Sequence, residues 1–252
     1  MLTIEVALFS EAGGRRYNED ACGHWHSGRD LVAVLCDGAG GHGGGDLAAK
    51  LAVSHLVHAF ADAPTADGAA LNALLRDTNR AVIEAREPGT QSAHMHATCV
   101  CLVLDFTHHS AHWAHTGDSR LYWFRGGRLL ERTRDHSMVQ SLVDAGLLAP
   151  AELRHHPKRS ELRSALGTEP RLLQVDDSGP PREVAAGDVF LLCTDGVWEH
   201  LDEARFGELL AQSATPQAWL AAIEAEVQRA TAALHSHDNF TALAVWTGAA
   251  PA

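Results

Sequence analysis

Residues 2–9 (LTIEVALF) alternate apolar with polar positions and put Leu2, Ile4, Val6 and Leu8 on one side, the period-two mark of a half-buried strand. LVAVLC at 31–36 is continuously apolar and stops at Asp37-Gly38, which predicts a central strand running into a turn. The period then changes. Leu47, Leu51 and Leu56 recur at helical intervals over 46–61, and Leu71, Leu74, Leu75, Val82 and Ile83 trace a second helical stripe over 67–86. Strands return in ATCVCLVLDF, SAHWAHTG and RLYWFR, and Gly126-Gly127 turns the last of these into RLLERT. Residues 137–146 read as a helix ended by Gly146, and VFLLCTDG as another buried strand. Helices follow at 202–212 and 216–233, the second capped by Thr215 with Pro216 at its first position, before a closing strand NFTALAVW. Hairpin-joined strands with helices grouped in pairs argue an α+β fold with antiparallel sheets, not a regular β-α-β alternation.

Length and composition narrow the reading. The 252 residues are 46% hydrophobic, with no linker-like stretch and no internal repeat, so a single domain over 1–252 is expected. A formal net charge of −12 disfavours nucleic acid and anionic membrane as partners, since both need Lys and Arg in excess. The N-terminal segment reads as a strand, not a signal peptide, and no apolar run approaches the roughly 20 residues of a membrane helix. Four of the five cysteines (Cys36, Cys99, Cys101 and Cys193) lie in strand-like apolar runs, which suggests reduced thiols and a cytoplasmic protein.

The acidic residues fall in a pattern. Asn18-Glu19-Asp20, Asp37-Gly38, Gly117-Asp118-Ser119-Arg120 and Asp195-Gly196 lie at the ends of predicted strands, and Asp238-Asn239 immediately precedes the last one. Any single Asp-Gly is an ordinary turn. Five such clusters beside apolar strands suggest carboxylates gathered at one rim, where like-charge repulsion demands a hard divalent cation. Mg²⁺ and Mn²⁺ take oxygen ligands, which explains aspartate in place of Cys or His.

The strings RRYNED (15–20), DGAGGH (37–42), GDSR (117–120), TRDHS (133–137), LRSALG (162–167), LLCTDGVWE (191–199) and DNFTALAV (238–245) resemble, in order and spacing, the PPM (type 2C) metal-dependent serine/threonine protein phosphatases, in particular short bacterial members. The resemblance implies a four-layer α-β-β-α sandwich, two antiparallel sheets flanked by helix pairs, with two or three Mn²⁺ or Mg²⁺ ions at one end. It implies that Asp37 bridges two ions, that Asp195 and Asp238 complete the first site, and that Glu19 and the Gly38 carbonyl complete the second. Asp118 with Asp195 would hold a third ion, and Asp20 would position bound water. Arg15 matches the family's phosphate-binding arginine, with Arg16 as the fallback. The implied reaction is in-line attack of metal-activated water on a phosphoserine or phosphothreonine ester of a protein, opposing a serine/threonine kinase. Some members carry a His directly after the Asp-Gly; here that position is Ala39. His42 and a water on the third ion are equal candidates for general acid. Residues 144–161 resemble the family's variable flap, where His155, His156, Lys158 and Arg159 give local positive charge. A monomer is expected. A phosphopeptide-binding pseudophosphatase or a small-molecule phosphatase on the same fold are the alternatives.

Other motifs fail on context. Gly38 to Gly43 fits G-x-G-x-x-G with Asp62 at a suitable offset, but a helix follows where a dinucleotide fold needs a parallel strand. No Lys-Ser or Lys-Thr follows these glycines, which removes a Walker loop. No cysteine has an arginine six residues on, as a cysteine phosphatase loop requires. The 17 histidines lack zinc-site spacing, and His136 is expected to support a helix start capped by Asp135 or Ser137.

Overall fold

The computed structural model describes residues 2–39 and 44–249. Strands β1 (Leu2–Glu11), β2 (Ala21–His26), β3 (Asp30–Cys36) and β4 (Gly38–Ala39) lead into helices α1 (Gly45–Asp62) and α2 (Gly68–Glu84). Strands β5 (His96–Ala97), β6 (Cys99–Asp105), β7 (Ser110–Thr116), β8 (Arg120–Arg125) and β9 (Arg128–Arg132) follow, then α3 (Met138–Asp144). Short strands β10 (Asp176–Asp177) and β11 (Arg182–Glu183) precede β12 (Asp188–Cys193), α4 (Asp195–Trp198), α5 (Glu203–Ala211), α6 (Pro216–Thr231) and β13 (Phe240–Ala249).

Eleven strands form two antiparallel sheets, one ordered β1-β13-β12-β8-β9 and the other β10-β7-β6-β3-β2, with β11 also on β7, while β4 and β5 pair with each other. Leu31, Leu35, Leu102, Trp113, Trp123, Phe190 and Leu243 fill the space between the sheets. Alternate residues on the same strands face outwards. Val32, Val34 and Cys101 pack under α1 and α2, while Tyr122, Phe124 and Leu191 pack under α5 and α6. This is the expected four-layer sandwich. Strands with helices on one side and a second sheet on the other are buried on both faces, which is why 31–36 and 99–104 read as unbroken apolar runs. Among the described residues no helix is long and apolar enough to cross a membrane.

Helix starts follow local chemistry. Asp67, Ser137, Asp202 and Thr215 each accept a backbone N–H of the first turn, so Ser137 and not Asp135 caps α3. Gly126 and Gly127 take φ of +57° and +75°, the left-handed pair that a two-residue hairpin needs. Besides the short elements β4, β5, β10, β11 and α4, which the sequence pattern does not predict, β1 and β2 depart from the expectation. The edge strand β2 (ACGHWH) has no clean alternation and went unread. In β1, Leu8 is 48% exposed while Phe9 is buried, because the strand packs Leu2, Ile4 and Val6 between the sheets but Ala7 and Phe9 under the helices.

Register brings the acidic turns together. In one sheet Glu11 pairs with Phe240, and Cys193 pairs with both Ala242 and Arg120. In the other, Ala21 pairs with Cys36, Leu35 with Val100 and Cys99 with Thr116. The chain crosses between sheets twice at this rim, through residues 12–20 and 117–119. Each predicted acidic turn therefore leaves or enters a strand at the same end of the sandwich.

Candidate metal centre

Arg15, Glu19, Asp37, Gly38, Asp118, Asp195 and Asp238 line one cleft of about 890 Å³ at that rim. Asp20 lies buried behind it, where its Oδ2 accepts the Thr194 hydroxyl at 3.1 Å. Of the expected site residues only His42 is missing from this description, since it lies outside the described residues.

The local chain is shaped to bring backbone and carboxylates close. A Cβ on Gly38 would run into the carbonyl oxygens of Gly45 and Glu19, and one on Gly196 would run into that of Asn239. Glycine after Asp37 and after Asp195 is therefore a packing requirement as well as a turn. The Asp37 N–H donates to Thr98 Oγ1 at 3.1 Å, and that hydroxyl is 2.7 Å from Ser119 Oγ. The Asp37 carbonyl in turn accepts the Thr98 N–H at 2.8 Å. Asn239 ties down the opposite wall. Its Oδ1 accepts the Glu19 N–H at 2.9 Å, and its Nδ2 donates to the carbonyls of Ala12 and Tyr17 at 2.8 and 2.9 Å.

This crowding has an electrostatic cost. Burial, then the carboxylates of Asp20, Asp195, Asp118 and Asp238, push Asp37 well above the usual carboxylate range. Burial and then Asp118 do the same to Asp195. Asp20 is pushed up to about 7, chiefly by burial, and Asp118 also to about 7, by burial and then Asp135. Glu19 is raised by burial and then by Asp46. Asp195 Oδ1 and Asp20 Oδ1 are buried and accept no hydrogen bond. Orphaned acceptors of this kind destabilise a fold unless something positive fills the gap. The cleft offers carboxylate and carbonyl oxygens and, among its described lining residues, no Cys or His. That donor set suits a hard divalent cation.

Known proteins are similar to this chain over most of its length. A family model described as Protein phosphatase 2C matches residues 13–235. The chain belongs to the protein phosphatase 2C family. It is 35% identical over 211 residues to the serine/threonine protein phosphatase PstP of Mycobacterium tuberculosis, covering 83% of this chain but only 39% of that protein's length. It is 30% identical over 201 residues to protein phosphatase PhpP of Streptococcus pneumoniae, covering 77% of this chain and 79% of the relative. A crystal structure of the PstP catalytic domain in complex with two manganese ions superposes with a TM-score of 0.81 at 29% identity, over 99% of this chain and 100% of that one.

Several residues that serve the protein phosphatase 2C cleft had no role in the sequence reading. Thr98, Ser119, Thr194 and Asn239 act through hydrogen bonds to backbone or carboxylate, and nothing in their spacing announces a partner. Asp46 and Lys50, an ion pair one turn apart on α1, line the cleft as well. Asp46 had a signal available, an acid in the first turn of the helix that follows Asp37-Gly38. Arg159 of the expected flap is ion-paired with Glu199, and Glu199 acts electrostatically on both Asp118 and Asp195. The flap's positive charge is thus tied to the edge of the acidic cluster.

Proposed function

We propose that this chain is a metal-dependent protein phosphatase that hydrolyses phosphoserine and phosphothreonine esters, with two or three Mn²⁺ or Mg²⁺ ions in the acidic cleft. The observation that carries the reading is the convergence of Glu19, Asp37, Asp118, Asp195 and Asp238 around buried carboxylate oxygens with no donor. The manganese ions named for the PstP structure support it. Asp37, Asp195 and Asp238 would hold one ion, Asp37, Glu19 and the Gly38 carbonyl a second, and Asp118 with Asp195 a third. Bound there, such cations acidify water and offset charge on the phosphoryl oxygens.

The protein's own groups supply binding and orientation. Arg15 stands at the mouth of the cleft and forks onto the non-bridging oxygens of the phosphate. Asp20, held by Thr194, keeps its free Oδ1 as an acceptor that orients water in the cleft. The leaving serine or threonine oxygen would take its proton from His42 or from a water on the third ion, which are equal candidates. Phosphorylated proteins, made by a serine/threonine kinase, are the substrates, and the five free cysteines support a cytoplasmic setting.

Phosphate release from phosphoserine, phosphothreonine and phosphotyrosine peptides, with Mn²⁺ and with excess chelator, tests this directly. The first two peptides should turn over only with metal. Turnover of small phosphate esters alone would point to a small-molecule phosphatase, and binding without turnover to a pseudophosphatase. Undiminished activity in chelator would end the proposal.

A further inference from the structure

The turn that presents Asp118 is held from two sides. Gly117 has φ of +98°, and a Cβ there would come within 2.6 Å of the Thr98 side chain. On the other side His136 grips the same residue twice. Its backbone N–H donates to the Gly117 carbonyl at 2.8 Å, and its Nδ1 accepts the Gly117 N–H at 3.3 Å. The Asp118 carbonyl accepts Trp198 Nε1 at 2.9 Å. The peptides on both sides of the Asp118 Cα are therefore pinned. That matters because Asp118 and Asp195 repel one another, so only an imposed backbone keeps them together.

Because Nδ1 of His136 accepts, the ring proton sits on Nε2, which lies 3.2 Å from Asp176 Oδ2 without making a hydrogen bond to it. His115 stacks on the His136 ring at 4.7 Å between centroids and donates from Nε2 to the Arg134 carbonyl at 2.7 Å. Asp176 sits directly across from His115 in the β10–β7 pair. His115, His136 and Asp176 place potential ligand atoms within 4.8 Å of one another, a spacing open to a metal ion. A metal would need the Nε2 lone pair of His136, and that position carries the proton. The Gly117 N–H, not the trio, fixes the His136 tautomer.

We propose that His136, its tautomer set by the Gly117 N–H, is a positioning residue for Asp118, clamping the preceding residue so that the carboxylate meets Asp195 as a cation ligand. This rests on the assignment of Asp118 under the proposed function. It also explains why TRDHS accompanies GDSR: the first string is the brace of the second.

Mn²⁺ binding, followed through the electron paramagnetic resonance signal of the free ion, tests the clamp without reference to turnover. Asp118→Asn should lose or weaken one Mn²⁺ site. His136→Ala should weaken the same site about tenfold, the usual scale for removing a group that orients a ligand. His136→Asn should restore it, because an Asn Oδ1 can accept the Gly117 N–H in place of Nδ1. Asp176→Asn, at an exposed carboxylate that makes no hydrogen bond to the ring, should bind Mn²⁺ like wild type. If Asp118→Asn weakens binding while His136→Ala binds like wild type, the clamp is refuted. An unchanged isotherm for Asp118→Asn would instead remove the underlying ligand assignment. Saturable Zn²⁺ binding lost in Asp176→Asn would overturn the proposal by making the trio a metal cage. Should His136→Ala fail to fold, His136→Asn and His136→Leu decide: wild-type binding by the first with weaker binding by the second supports the clamp, and equal binding by both overturns it.

Discussion

Arg15 and Asp238, 223 positions apart, meet at the mouth of the cleft, where Arg15 Nη2 donates to Asp238 Oδ2 at 3.1 Å. The side chains are 55% and 48% exposed, so the pair is weakly held and easily exchanged. An arginine that rests on a candidate cation ligand is placed to turn towards phosphate once a cation claims that carboxylate.

Arg15→Ala should therefore lower kcat/KM on a phosphopeptide by about 10- to 100-fold, the scale of a lost charge-assisted hydrogen bond. The loss should fall mainly on KM, with Mn²⁺ content unchanged. Arg15→Lys should recover only part of it, because an ammonium cannot fork onto two oxygens. Arg16, which stacks its guanidinium on Tyr17 at 5.2 Å, should tolerate alanine. Steady-state kinetics on the four proteins checks the set.

Asp195→Asn should behave oppositely in stability and in activity. Its Oδ1 is a buried acceptor without a donor, crowded by Asp118, Glu199 and Asp238. Removing that charge should raise the melting temperature of the metal-free chain, yet lower turnover by about 100-fold or more, as loss of a main electrostatic group does. Added Mn²⁺ should stabilise the wild type in a concentration-dependent way and the variant far less. Thermal unfolding across a Mn²⁺ series reads both effects.

A pH dependence follows from Asp118. Its folded pKa of about 7 stands above the ordinary 3.8, so the metal-free folded chain holds a proton that the unfolded chain has released. Stability contributed by this group therefore falls as pH rises between those two values and is level beyond them. An asparagine has no such slope. The melting temperature of metal-free Asp118→Asn minus that of wild type should grow from about pH 4 to about pH 7 and then level off. A difference that is flat, or shrinks, would contradict the burial and the Asp135 repulsion as causes.

Arg120 should be the most costly charge to strand. It donates from Nε and Nη2 to both carboxylate oxygens of Asp135 at 2.8 Å, and its guanidinium lies 3.6 Å over the Trp198 ring, all of it buried. Asp135→Ala leaves that guanidinium without its counter-ion and should cost about 3–5 kcal/mol in urea unfolding. A loss below about 1 kcal/mol, the range of exposed pairs, would mean the site is wetter than its packing indicates.

The sequence by itself determined the strands that are buried on both faces, the paired helices with their caps, and the acidic turns. Those features are local: an apolar run, a helical stripe or an Asp-Gly is written within a few consecutive residues. β2 was illegible because a half-exposed edge strand such as ACGHWH needs no alternation once its neighbour supplies the pairing. That Asp37 and Asp195 belong to one cleft was suggested by acidic turns at strand ends and made specific by the family resemblance. The tertiary structure decided it through register, which sets Cys36 and Cys193, the last residues of β3 and β12, at the same rim of two facing sheets. It alone decided that Asn239 holds Glu19, that Thr98 holds Asp37 and that His136 holds Gly117, since a hydrogen bond between distant segments leaves no periodic trace in either.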